Sequence, residues 1–151
     1  MGSEPREVEK VREKFGDALR DVIYFRGEET LVVDPARIVE ICRFLKEDPE
    51  MDFNLLLDIT GIHFLEREYS YEVVYLLLSL PRKRRLRLRA RLGEEGEIDS
   101  VVPVWGTANW HEREEYDLVG IKFRGHPDLR RIIMPEDFVG HPLRKDFPLD
   151  Q

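Results

Sequence analysis

Apolar positions recur along this chain at two different spacings, and the switches between them outline its elements. Val8, Val11 and Phe15 fall on one side of a predicted helix over 5–15, with Pro5 suited to the first turn and Gly16 to the stop. Val22 to Phe25 then reads as a strand. A turn at Gly27-Glu28-Glu29 sends the chain back, so Leu31 to Val33 should pair with it as a hairpin. Asp34 followed by Pro35 opens a second helix, with Asp34 as its cap and Pro35 at the first helical position. Ile38, Ile41, Cys42 and Leu45 lie at the spacing of a buried helical stripe, and Asp48-Pro49 ends it.

The middle of the chain switches to strands. Phe53 to Ile59 is mostly apolar, Gly61 follows, and a separate strand is predicted over Ile62 to Leu65. After a turn at Glu66-Arg67-Glu68 comes Glu72 to Leu80, whose core from Val73 to Leu78 has no polar alternation. A strand of that kind is covered on both faces or central in its sheet. Arg85 to Leu92 alternates strictly, with Leu86, Leu88, Ala90 and Leu92 on one side and four arginines on the other, which predicts one wet face. Residues 98–104 show no decisive period. Asn109 to Val119 reads as a helix, with Asn109 and Glu112 spaced as a capping box and Arg113 and Asp117 as an i,i+4 pair. Gly120 is the stop.

Beyond Gly125, four prolines (Pro127, Pro135, Pro142 and Pro148) exclude a long helix or a central strand, so this stretch should be extended and lie on another surface. The order α-β-β-α-β-β-β-α predicts an α+β two-layer sandwich, with a mixed sheet of four or five strands and helices on one face. Two units are expected: an α+β domain over 1–125 and an extended Pro-rich docking segment over 126–151.

Composition narrows the function. The 151 residues are enough for one core, and 42% hydrophobic with 36% charged residues excludes both a disordered chain and a membrane span. One cysteine, Cys42, excludes an internal disulfide framework and any iron–sulfur or zinc site built from this chain's own thiolates. The charged stretch Ser3 to Lys14 is no signal peptide, and the reducing cytoplasm is the expected compartment. The net charge of −7 argues against a dedicated nucleic-acid binder. Residues 82–91 run against that average with seven basic side chains, and subtracting them leaves −14 on the rest. Those arginines could track phosphates, but no aromatics are interleaved to stack bases. A solvated strand face with glutamates opposite, or a surface for a protein partner, accounts for them better.

Candidate chemistry is sparse. His126 and His141 sit in two Gly-His-Pro tripeptides and could join Asp128 or Asp137 around a metal. The tight local histidine pair of most zinc sites is missing, and the alternative is two turns with imidazoles bonded to backbone. His63 and His111 have no ligand-spaced partner. Glu112, Glu114, Glu115 and Asp117 crowd one helix, where general acid–base work would need one carboxyl in an apolar pocket. What stands out is the density of Trp, Arg, Gly-His-Pro and aromatic residues between Trp105 and Leu149, the composition of a preorganised docking strip.

The same stretch carries a resemblance. Trp110-His111-Glu112-Arg113-Glu114-Glu115-Tyr116-Asp117-Leu118-Val119-Gly120-Ile121, then Gly125-His126-Pro127-Asp128-Leu129-Arg130-Arg131, then Gly140-His141-Pro142-Leu143-Arg144-Lys145-Asp146-Phe147-Pro148-Leu149, resembles the signature of the 30-kilodalton (C-type) subunit family of respiratory complex I. Val119 stands where that family usually carries an aromatic residue. The sequence also ends at Gln151, where many members continue, so the equivalent subunits of F420H2 dehydrogenases and membrane-bound hydrogenases stay open as alternatives. The resemblance implies a non-catalytic structural subunit of the hydrophilic arm of a proton-pumping NADH:quinone oxidoreductase. Such a chain binds no cofactor, while its complex uses NAD(H) or another donor, FMN, iron–sulfur clusters and quinone. It implies docking on the D-type subunit and other hydrophilic-arm subunits, at the cytoplasmic face of the cell membrane, with neither nucleic acid nor membrane insertion. The signature and docking residues it designates are Trp110, Glu112, Arg113, Glu114, Asp117, Gly120, Gly125, His126, Pro127, Arg130, Arg131, Pro142, Arg144, Lys145, Asp146 and Phe147.

Overall fold

The computed structural model describes residues 5–148. Helix α1 (Arg6–Phe15) leads into the hairpin β1 (Leu19–Phe25) and β2 (Glu28–Val33), followed by α2 (Ile38–Glu47). The hairpin turns at Arg26-Gly27, both at positive φ (52° and 80°), one residue earlier than the glutamates suggested. Glu28 and Glu29 belong to β2. Asp34 does cap, accepting a hydrogen bond from the Ala36 N–H, although the first turn it opens, Pro35–Arg37, is a 3-10 turn.

Three long strands follow: β3 (Leu55–His63), β4 (Tyr71–Ser79) and β5 (Arg84–Leu92). Gly61 does not break β3 into two strands. It sits inside one continuous strand, paired with Val73, where α3 and Ile121 approach closely: a Cβ would come 2.5 Å from Ile121 Cδ1, which would have to shift. Short β6 (Glu97–Asp99) pairs in parallel with β7 (Lys122–Arg124), on either side of α3 (Ala108–Val119).

The five-stranded sheet runs β1-β2-β5-β4-β3, with β2 and β5 parallel and every other pair antiparallel. This is the mixed α+β sheet the sequence predicts, and β4 is interior to it. Its helix-bearing face carries the core. Val73, Tyr75 and Leu77 of β4 stand opposite Ala90, Leu88 and Leu86 of β5, and Leu31 and Val33 of β2 continue the row. All three helices lie on that face. α1 places Glu7 on Arg84, α2 adds the buried stripe Ile38, Ile41, Cys42 and Leu45, and α3 brings Glu115 and Val119 to Gly61. Trp105, one of the two tryptophans, is buried and donates its indole N–H to the Phe53 carbonyl at 3.1 Å.

Residues 126–148 form no helix or strand, as their prolines require. The segment is not extended, however. It folds into successive turns along α3, bonded to the helix near both of its ends.

Candidate functional site

The signature residues converge on α3, and three of its acids each hold a different piece of backbone. Glu112 is fully buried. Its two carboxylate oxygens take the Ser100 hydroxyl at 2.6 Å and the Val101 N–H at 2.8 Å, fixing the loop that leaves β6. Glu115 accepts the Gly61 N–H at 2.9 Å, tying α3 to β3. Burial pushes both carboxyls up to about 7; the hydrogen bonds oppose this, and for Glu115 the charges of Glu114 and Asp58 add to it. Glu112 therefore caps nothing. The expected capping box with Asn109 is absent, and the residue before α3, Thr107, has helical backbone and no side-chain cap. The acid instead turned inward, to an acceptor role set by residues eleven and twelve positions upstream.

Asp117 is the centre of the cluster. One oxygen takes Arg131 Nη1 at 2.6 Å. The other takes three successive backbone N–H groups, Ile132 at 3.1 Å, Ile133 at 2.6 Å and Met134 at 2.8 Å. Burial raises the pKa of this carboxyl, but these donors outweigh it and the net shift is downward. The Arg113–Asp117 pair foreseen along the helix does not form. Arg113 Nε donates to the Arg130 carbonyl at 3.3 Å, and Asp117 is committed to Arg131. Arg131 also donates to the Gly140 carbonyl at 2.5 Å and lies over the Phe138 ring, which stacks on Phe147. Segment 126–148 is thus folded around a carboxylate and a guanidinium rather than around a core of its own.

The two Gly-His-Pro turns clip onto opposite ends of the same helix. His126 Nε2 bonds the Asn109 carbonyl at 3.1 Å while its Nδ1 accepts the Asp128 N–H at 2.9 Å. His141 Nδ1 bonds the Asp117 carbonyl at 2.9 Å. Asn109 and Asp117 are about 12 Å apart along the helix at 1.5 Å per residue, so the two imidazoles do not share a metal site. Gly120 ends α3 at φ +89°, and a Cβ there would meet the His141 ring at 2.9 Å. Gly125 precedes the first turn at φ +81°. Further on, the Lys145 N–H reaches the buried His63 Nδ1 at 3.1 Å, and Arg144 pairs with Asp146 at 2.8 Å above the Tyr71 ring. Burial and the Arg144 charge lower the His63 pKa.

What remains outward is a mixed apolar and basic surface. Trp110 is 55% exposed, Leu143 58% and Val139 88%, and Arg130 and Lys145 also face outward. Among the described residues Arg130 pairs locally with Asp128, at 3.0 Å. Glu114, Pro127 and Pro142 lie at or near this surface, and Phe147 is half-buried beneath it. Glu115 was not among the designated residues. Its signal was its place one turn after Glu112, on the side of α3 that the strand covers.

This arrangement defines an α+β domain whose signature side chains shape a surface segment. Residues 31–151 match the family described as respiratory-chain NADH dehydrogenase, 30 Kd subunit, and the chain belongs to that family. It is 53% identical over 139 residues to a C-type subunit of NADH-quinone oxidoreductase (form 2) from Rhizobium etli (strain CIAT 652), covering 92% of this chain and 74% of that one. Against the C-type NADH-quinone oxidoreductase subunit of Geotalea uraniireducens (strain Rf4) it is 52% identical over 150 residues, covering 99% and 90%. A solved trypsin-resistant fragment of Nqo5 superposes with a TM-score of 0.68 at 34% identity, covering 82% of this chain and 99% of the fragment. A chain of the membrane-bound sulfane sulfur reductase, an archaeal respiratory membrane complex, superposes at 0.78 with 23% identity over 94% and 84%, a likeness of fold.

Proposed function

We propose that this chain is a structural, non-catalytic subunit of the hydrophilic arm of a proton-pumping NADH:quinone oxidoreductase. In this reading it is held peripherally at the cytoplasmic face of the membrane and docks on the D-type subunit near the quinone site. Transfer of electrons from NAD(H) or another donor through FMN and iron–sulfur clusters to quinone belongs to other subunits. Two relatives about half identical over most of the chain, both C-type subunits of NADH-quinone oxidoreductase by name, support the parent complex. No described helix is long and apolar enough to cross a membrane.

The observation that carries the docking role is the Asp117 clamp. Its donors hold residues 131–134 in one conformation, and the basic and apolar side chains around them face away from the domain. A segment fixed in advance loses little conformational entropy when a partner closes on it. The acids of α3 support the structural reading, since Glu112, Glu115 and Asp117 are each occupied in holding backbone. The arginine strand does not favour nucleic acid, because Arg87, Arg89 and Arg91 are paired with Glu28 and Glu72 of the same chain.

Deleting 126–151 would strip Asp117 of its donors, so charge reversal is the cleaner test. The double variant Arg130→Glu, Lys145→Glu in the full chain should keep the wild-type melting temperature and lose co-purification with the other hydrophilic-arm subunits. Each desolvated anchor typically contributes ~2–5 kcal/mol to binding. Assembly at wild-type yield would sink the docking reading.

A further inference from the structure

The sheet has a second face, and no described helix packs on it. There β4 presents Val74, Leu76 and Leu78, each only half-buried, while their neighbours Val73, Tyr75 and Leu77 are sealed in the core. Leu57, displaced by the irregularity in β3, is 37% exposed and Leu80, just past β4, is 59% exposed. β4 is central in the sheet, as its unalternating apolar run requires, yet the side chains on its second face stay half-exposed. Here the chain covers one face and leaves a leucine-rich stripe across the other. The stripe has a charged margin. Arg85, Arg87 and Arg89 stand directly opposite Leu78, Leu76 and Val74 in the register, with Arg91 beyond them. Glu28 and Glu72 are the carboxylates paired with three of these four guanidiniums. Arg85, beside Leu78, has no ion-pair partner among the described residues, and Lys83 adds a further positive charge at the β4–β5 turn. A positive margin on a chain of net charge −7 selects for an acidic visitor.

We propose that the helix-free face of the sheet is a second docking surface, distinct from segment 126–148. It takes an amphipathic, acid-bearing segment of a partner protein in the same assembly, whose apolar side chains cover Leu76 and Leu78 and whose carboxylates reach Arg85 and Lys83. The inference rests on membership in a multi-subunit assembly. Like-charged repulsion at Arg85 and loss of desolvated contact at Leu78 are the two ways to disrupt it without touching the core.

The test uses the full chain, assembled in the complex. Leu78→Glu and Arg85→Glu are each expected to keep the wild-type melting temperature and lower recovery with the complex at least tenfold. A photo-crosslinking amino acid at position 78 of the assembled wild-type background should capture a peptide of another subunit in which Asp and Glu outnumber Lys and Arg. Wild-type recovery of both variants overturns the proposal, and so does capture of a basic or uncharged peptide. Capture of this chain's own peptide, with dimers that Leu78→Glu dissolves, makes the occupant a second copy and also overturns it. Salt-dependent binding of duplex DNA that Arg85→Glu abolishes would do the same. If the unmodified chain itself fails to co-purify with the complex, it is the reading as a component of that complex that falls, a result distinguishable from all of these.

Discussion

Replacing Glu112 with Gln separates the charge of this side chain from its hydrogen bonds. The Ser100 hydroxyl donates to one Glu112 oxygen and the Val101 N–H to the other. A hydroxyl can also turn to accept, so a Gln carbonyl and amide can make both bonds. Burial raises the folded-state pKa from 4.5 to about 7. A rise of that size makes ionisation cost about 3 kcal/mol in the folded chain, at 1.36 kcal/mol per pH unit. Because the folded pKa is raised, the contribution to stability is full below about 4.5 and is lost as pH climbs through about 7. Glu115 shifts in the same direction to the same value, so the wild type should weaken twice over across this window. Glu112→Gln should match the wild type near pH 4.5, exceed it by up to about 3 kcal/mol at pH 8, and roughly halve the pH slope. Urea unfolding between pH 5 and 8, followed by far-UV circular dichroism, measures this. His63 titrates in both proteins and cancels in the comparison. Glu112→Ala is the contrast. It leaves the Val101 N–H unpaired beside a cavity and should cost about 3 kcal/mol or more near pH 4.5, where the wild-type carboxyl is neutral, a deficit that shrinks as pH rises because Ala also removes the ionisation penalty. A Gln variant weaker than wild type at pH 8, or one with an unchanged slope, would refute the argument that charge rather than geometry dominates at this position.

Asp117→Asn should destabilise the chain by about 2–4 kcal/mol, because an amide oxygen cannot serve Arg131 and three N–H groups together. Hydrogen exchange should accelerate at residues 132–134 before it does in the sheet. Gly61→Ala should cost about 1–3 kcal/mol by chemical denaturation, since the new Cβ drives into the fully buried Ile121 side chain. Cys42 is fully buried and its thiol pKa is pushed up by burial and the Glu112 charge, so a maleimide should label it only under unfolding conditions; rapid native labelling would contradict the packing of α2. Leu88→Asp should abolish folding by placing an unpaired charge against Tyr75, while Arg87→Ser should cost less than about 1 kcal/mol.

The stripe on α2, the hairpin and the alternation of β5 were legible because each is a local repeat whose period matches one element. Leu86, Leu88 and Ala90 could only face one way once Arg87 and Arg89 faced the other. The stop at Gly120 was legible for a similar reason, since a left-handed residue after a helix favours glycine. What local spacing could not reveal was the destination of a polar side chain. Glu112 sits at the right distance from Asn109 for a cap, and Arg113 at the right distance from Asp117 for a pair, yet burial of α3 against β3 and the 100–101 loop redirected the acids. Their partners, Val101, Gly61 and Arg131, are fixed by the fold and not by neighbours in sequence. The same applies to 126–148, where counting prolines correctly excluded regular structure. Compact turns replaced the extended run because one buried carboxylate gathers four donors.

The parallel pairing of β2 with β5 has a kinetic consequence. Thr30 finds its partner only at Arg87, and the N-terminal hairpin joins the rest of the sheet through β5 alone. At about 5–20 residues per second of synthesis, the ribosome leaves Leu31 and Val33 without that neighbour for roughly three to eleven seconds. Until then the hairpin is a two-stranded ribbon, marginal in water, with an apolar open edge. Long-range closure of this kind slows folding, so the sheet should form as a late event gated by a single strand. Substitutions that weaken β5 would then reduce the yield of folded chain in the cell by prolonging exposure of that edge, even where the finished protein is almost as stable as before.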